Sequence, residues 1–335
     1  MNLVIGYSNL PKDIKVYLSR ANLFYSECYE NNVKIRNQEM YYIWSDTYIM
    51  AVRVKKQFFL KAAVLESEPY KYAEGESEKD FLNAAMHELK RSGVQWTVCA
   101  TTARFQNYPK GSVVAPCGNY IVDLTLSEEE LWKNVHSKHR NSIRRGEKSG
   151  IDIRIGGMEL LKKYVEMSIE TYLRSYKNTE GYEYYEGIMK GLKDNIVLFV
   201  AEKDGVPQSG GMFYYNDQIS YYLHGASISR PEPGATNFLL WRAMMYFKNK
   251  GVREFSFVGY HYDPEPGSKL DGIQKFKGRF GGMLEKSYNF RYVQSPIAYK
   301  IYCFAMQLQK RKPFQKYQDA IDLQVAKYPE LNGGE

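Results

Sequence analysis

At 335 residues, with 44% hydrophobic and 25% charged content, the chain is long enough for two ordinary domains and too apolar to be disordered. It has no apolar run near the roughly 20 residues that cross a bilayer, and its start, MNLVIGYSNLPKD, has no basic region followed by a hydrophobic stretch, so a cytoplasmic protein is expected. A formal charge of +8 favours anionic partners: nucleic acid, a phosphate-bearing small molecule or the surface of an anionic membrane.

Up to about Leu126, the runs YYIWSDTYIMAVRV, FFLKAAVLE and VQWTVCATT read as strands. Between them EKDFLNAAMHELKRSG sets Phe81, Ala84, Ala85 and Leu89 at helical spacing and stops at Gly93, as an amphipathic helix with a glycine end does. YAEGESEKD before it is a surface loop by composition. Ser127 followed by Glu130 predicts a capping box that opens one helix from about Glu128 to Lys148. The domain boundary is placed there, giving an N-terminal domain 1–126, a C-terminal domain 127–300 and a helical tail 301–335. Strand IDIRI follows, then helices MELLKKYVEMSIETYLRSY and EYYEGIMKGLKD, and then strands IVLFVAEKDG, VPQSGGMFYYND and QISYYLHGAS. A loop RPEPGA leads into helix TNFLLWRAMMYFKNKG, strand REFSFVGY, helix LDGIQKFKGRFGG and strand LEKSYNFRYV. The tail SPIAYKIYCFAMQLQKRK reads as a basic-ended helix with a second short helix after it. This is an α+β order.

The four cysteines form no CxxC pair and the five histidines no HExxH pattern, so reduced, packed thiols and no metal site are expected. The 30 tyrosines supply apolar area with a hydroxyl, suited either to a cleft for polar, bulky substrates or to packing in sheets.

The segments KHRNSIRRGEKSG, LFVAEKDGVPQSGGMFYY, YYLHGAS running into GATNFLLWRAMMYFKNKG, FSFVGY and FKGRFGG follow one another through the second half, and in that order they resemble the FemABX family of transferases. The resemblance implies two GNAT-like domains, each a mixed, mostly antiparallel sheet flanked by helices, with a cleft between them. It implies an acyl- or aminoacyltransferase that forms an amide bond on an amine-bearing acceptor, such as a phosphate-bearing or cell-wall precursor, with aminoacyl-tRNA as donor. The alternative is an N-acyltransferase using acyl-CoA on a polysaccharide or sugar-nucleotide amine, and a third reading is an inactive relative that binds RNA or protein. No resident cofactor is implied, the donor being a co-substrate. Two departures stand out: no long charged helical arm occurs, and RPEPGATN replaces the [QR]xxGx[GA] loop whose amides cradle coenzyme A pyrophosphate, its prolines removing donors.

Within FKGRFGG, Lys277 beside Phe276 and Phe280 is the candidate catalytic group, because an ammonium in an apolar pocket acts on a reacting carbonyl more strongly than one in water. The resemblance assigns the matching lysine this role; the alternative is a solvated face with inward aromatics. Arg279 offers a planar fork for a phosphate or carboxylate. Alternation along YYLHGAS sets Tyr222 and His224 on one face, where His224 either relays a proton or is a structural histidine. Tyr184 falls at a substrate-contacting tyrosine of the family, while Glu180 stands where these enzymes carry an arginine. Arg140, Arg144 and Lys148 recur every four residues, with Arg145 adjacent, as a phosphate-binding stripe or a solvated face. His261, with Asp263 and Asp271 nearby, lies in a loop that is either a lid over the substrate or plain surface.

Overall fold

The computed structural model describes residues 1–18, 20–175, 180–309, 317–319 and 321–332, without the side chains of Tyr260 and His261. It is α+β and divides into two compact units. The first comprises Met1–Gly118, Gly259–Tyr262 and Lys286–Glu335, the second Asn119–Val258 and Asp263–Glu285. Strands Val113–Asp123 and Met283–Val293 each contribute residues to both.

In the first unit, strands Asn2–Ile5, Glu39–Trp44, Tyr48–Gln57 and Leu60–Leu65 form an antiparallel meander, and Leu60–Leu65 then pairs in parallel with Trp96–Cys99. A parallel pair needs a crossover, which helix Glu78–Arg91 supplies. Ser77 caps it by accepting from the Asp80 amide, and Phe81, Leu82, Ala85, Met86 and Leu89 are buried against Tyr41, Ile43, Met50 and Val52. The run expected as one strand, YYIWSDTYIMAVRV, is two: the Ser45 hydroxyl accepts from the amides of Thr47 and Tyr48 and turns the chain. FFLKAAVLE begins its strand at Leu60, because Phe58 and Phe59 form the hairpin turn.

In the second unit the antiparallel strands Ile151–Gly156, Ile196–Lys203, Val206–Tyr215 and Ile219–Ser227 lie side by side. Ile219–Ser227 then pairs in parallel with Glu254–Ser256, which pairs with the Ile121–Asp123 part of its neighbour. Helix Ala235–Asn249 makes the crossover and shares an aromatic core with helix Ser137–Lys148, including Phe213, Phe247, Phe255, Phe257 and Phe280. Gly210 faces Tyr164 and Met167 of helix Met158–Leu173, whereas Gly211 faces Phe213 and Tyr222; adjacent residues of one strand thus mark the two faces.

The expected helix Glu128–Lys148 is instead two helices, Glu128–Asn134 and Ser137–Lys148. The Ser127–Glu130 capping box does open the first. Val135, fully buried and extended, breaks the run, and His136 restarts it by accepting from the Lys138 amide at 3.2 Å. Its own amide donates to the Arg279 carbonyl at 2.9 Å, a long-range bond that local periodicity does not reveal. Among the described residues, no helix is long and apolar enough to cross a membrane.

Candidate active site

Helix Lys269–Gly278 opens on Ser268, whose hydroxyl accepts from the Asp271 amide. Phe276 and Phe280, four residues apart, lie on one side of the segment. Phe280 is fully buried and stacks on Phe257 at 5.0 Å, and Phe276 meets Phe280 at 5.3 Å. His139 packs on both rings, and its Nε2 donates to the Phe276 carbonyl at 3.0 Å, since a carbonyl can only accept. Burial, ahead of the neighbouring Arg279 and His136 charges, holds His139 below the usual histidine range and therefore neutral at pH 7.

Lys277 follows Phe276 on the same helix. Its Nζ donates to the Val258 carbonyl, and burial pushes its ammonium down to about 8 from the ordinary lysine value of 10.5. Val258 has φ 43°, a left-handed conformation that a β-branched residue adopts only at a cost, and it is this backbone that aims the carbonyl at Lys277. Sequence reading missed Val258: Val-Gly followed by an aromatic gives no warning that the strain falls on the valine. His139 was missed as well, counted only among five histidines without a metal-binding pattern.

Tyr222 and His224 do not share a face, contrary to strict alternation. In the pairing of Val206–Tyr215 with Ile219–Ser227, Phe213 faces Tyr222 and Met212 faces His224, which leaves Leu223 as the extra residue of a bulge. Tyr222 stacks on Phe213 at 5.2 Å and approaches Phe257 at 6.4 Å, joining the aromatic cluster of Phe257, Phe276 and Phe280; burial pushes its phenol up to about 12. His224 turns to the other face, between Tyr185 at 5.9 Å and Tyr214 at 6.1 Å. Tyr184, half-buried on helix Tyr182–Leu192, has its ring 5.2 Å from Tyr185 and so lies with His224, not with Lys277.

The basic stripe divides. Arg140 donates to the carbonyls of Lys133 and Val135 and so caps the preceding helix. Arg144 lies over the Trp132 ring at 5.2 Å, and with Arg145, Lys148, Asn141 and Ser149 it lines an open depression of about 520 Å³. Arg279 ends the Lys269 helix, with its carbonyl engaged by His136. The His261 side chain lies outside the described residues. Phe280 and Gly281 also line a cavity of about 560 Å³ whose polar wall includes Asp123, Asn134, Arg253, Glu254 and Glu285.

The RPEPGATN loop leads to Gly234, at φ 93°, before helix Ala235–Asn249. A Cβ on Gly234 would stand 2.2 Å from the Ser142 carbonyl oxygen, and one on Gly146 would stand 2.7 Å from the Gly234 oxygen. The backbone of helix Ser137–Lys148 therefore lies directly against the start of the Ala235 helix, where an anion would otherwise meet free amides. Among the described residues, no three His, Cys, Asp or Glu side chains gather as metal ligands.

Comparison with known proteins gives a consistent picture. The sequence model of the FemAB family matches residues 52–205. A lipid II:glycine glycyltransferase from Staphylococcus epidermidis is 30% identical over 103 residues, which are 30% of this chain and 25% of that protein; the match thus spans about a quarter of the relative. The crystal structure of FemX superposes with a TM-score of 0.68 at 15% identity over 90% of this chain and 99% of FemX, and L-PGS from Bacillus licheniformis with 0.54 at 12% identity over 92% and 98%. At such identities the superpositions speak for the fold alone.

Proposed function

We propose that this chain is a member of the FemAB family and an aminoacyltransferase that forms an amide bond on an amine of a peptidoglycan precursor. The observation that carries this reading is Lys277: a lysine bonded to the Val258 carbonyl, with burial lowering its pKa to about 8, so that it keeps its charge at neutral pH yet can give up a proton.

In the proposed reaction the acceptor amine attacks the ester carbonyl of the aminoacyl donor, the C–N bond forms, and the C–O bond to the ribose breaks. The Lys277 ammonium stabilises the oxyanion and passes its proton to the departing oxygen, and the proton shed by the attacking amine restores it. The Tyr222 phenol, kept protonated by burial, is available as a donor in the same cluster. The catalytic role is assigned to Lys277 and not to His224, because the bulge carries His224 to the opposite face.

Aminoacyl-tRNA is the proposed donor. Two features support it over acyl-CoA: the start of the Ala235 helix is covered by the Gly146 backbone, and the Arg144, Arg145 and Lys148 depression suits a phosphate backbone. The test supplies labelled glycyl-, alanyl- and seryl-tRNA, and separately labelled acetyl-CoA, with lipid II as acceptor. Transfer from a charged tRNA is expected. Transfer from acetyl-CoA alone would overturn the donor assignment, and salt-sensitive RNA binding with no transfer from any donor would favour the inactive RNA-binding reading.

A further inference from the structure

The last four carbonyls of an α-helix have no amide partner within it. At the end of helix Lys269–Gly278 the amides of Arg279, Phe280 and Gly281 turn back to the carbonyls of Lys275, Lys277 and Gly278 at 3.3, 3.2 and 3.4 Å, and pass over that of Phe276. The carbonyl left over is taken from outside the helix by His139, whose Nε2 lies 3.0 Å from it. It belongs to the planar peptide group that joins Phe276 to Lys277, so the imidazole holds the backbone at the lysine itself.

His139 is in turn held with little freedom. It stands in the first turn of helix Ser137–Lys148, 5% exposed, with its ring 5.0 Å from that of Phe276 and 4.7 Å from that of Phe280. His136, which caps the same helix, donates its amide to the Arg279 carbonyl at 2.9 Å. The amino end of one helix thus meets the carboxyl end of the other, where their dipoles attract. On the far side of Lys277 comes Gly278, where a Cβ would stand 2.8 Å from Cζ of Tyr120. That ring leaves the last turn no room to shift toward strand Val113–Asp123. The Lys277 Nζ therefore reaches the Val258 carbonyl from a backbone fixed on both flanks.

We infer that His139 is a positioning residue for Lys277: through the Phe276 carbonyl it fixes the turn that carries the lysine, so that Nζ stays directed at the Val258 carbonyl. It acts through Lys277 and needs no contact with substrate. The bond requires the proton on Nε2, which leaves Nδ1 bare in the neutral ring that burial enforces. The charges facing it, Arg279 on the capped helix and His136 on its own, both oppose its protonation. The inference rests on the catalytic role proposed for Lys277, but the placement of that lysine can be read without any transfer.

The test labels the lysines of the full chain with carbon-13 at Cε and follows Lys277, identified by the signal lost in Lys277→Met, through a pH titration. The wild-type midpoint is expected at about 8. His139→Phe keeps the ring contacts and removes the donor. Its Lys277 midpoint should rise to about 9 or higher as the lysine gains solvent. Its kcat at pH 7 should fall about tenfold to a hundredfold, with KM for either substrate unchanged within about twofold. His139→Gln, whose amide nitrogen can take the place of Nε2, should restore both, whereas His139→Asn, one methylene shorter, should not; this pair decides the matter if phenylalanine disturbs the fold. Ile143→Ala, a core truncation on the same helix, should lower the urea midpoint and leave the Lys277 titration in place. An unchanged Lys277 titration in His139→Phe, or an equal change in Ile143→Ala, would overturn the inference. A moved titration with no transfer by the wild type would uphold the positioning and refute the transferase reading.

Discussion

Replacing Lys277 with methionine should stabilise the protein at neutral pH while removing the group assigned to catalysis. Burial lowers the Lys277 pKa from 10.5 to about 8, and at about 1.36 kcal/mol per unit the charged form costs the fold about 3 kcal/mol at pH 7. Losing the hydrogen bond to Val258 gives back about 1 kcal/mol, so Lys277→Met should gain about 2 kcal/mol. The sign of the pH dependence is fixed. Between pH 8 and 10.5 the unfolded lysine holds more protons than the folded one, so wild-type stability rises with pH across that window. The methionine variant has no such rise, and its advantage should close by about pH 10. Urea unfolding of both proteins at pH 7 and pH 10 reads this directly. A variant less stable than wild type at pH 7, or an advantage that does not depend on pH, would refute the burial of a charged Lys277.

If the ammonium form is the active one, kcat for transfer should fall as pH rises through about 8, and a rate that climbs instead would identify the neutral amine as the working species. Gly146→Ala places a methyl 2.7 Å from the Gly234 carbonyl oxygen and should cost about 1–3 kcal/mol in thermal or urea unfolding, whereas Gly150→Ala, with open space around it, should show only the cost of its positive φ. Arg140→Ala should lower stability by about 1–2 kcal/mol through loss of its helix-capping bonds. Arg145→Ala with Lys148→Ala should leave stability unchanged within about 0.5 kcal/mol and reduce the salt slope of tRNA binding by about two.

The α+β class and most of the element order were legible in the sequence because hydrophobic period and capping residues act locally. What was not legible depends on partners distant in the chain. The helix break at Val135 is held by the His136 amide on the Arg279 carbonyl and by Arg140 folding back, and nothing in the 128–148 segment alone distinguishes this from a continuous helix. The separation of Tyr222 from His224 follows from one extra residue, Leu223, and a bulge becomes visible only when the register with Val206–Tyr215 is known. Phe276, Lys277 and Phe280 were picked out because FKGRFGG resembles a segment of the FemABX family and sets a lysine between two aromatics four residues apart. The carbonyl that holds Lys277 could not be, because it comes from a strained Val258 nineteen positions earlier.

The central claim is that a Lys277 ammonium acts at the reacting carbonyl. Single-turnover transfer from charged tRNA to lipid II, compared for wild type, Lys277→Arg and Lys277→Met at pH 7, tests it most directly. The methionine variant is expected to lose about 10²–10³ in rate and the arginine variant to retain part of it. A methionine variant that transfers at the wild-type rate would contradict it.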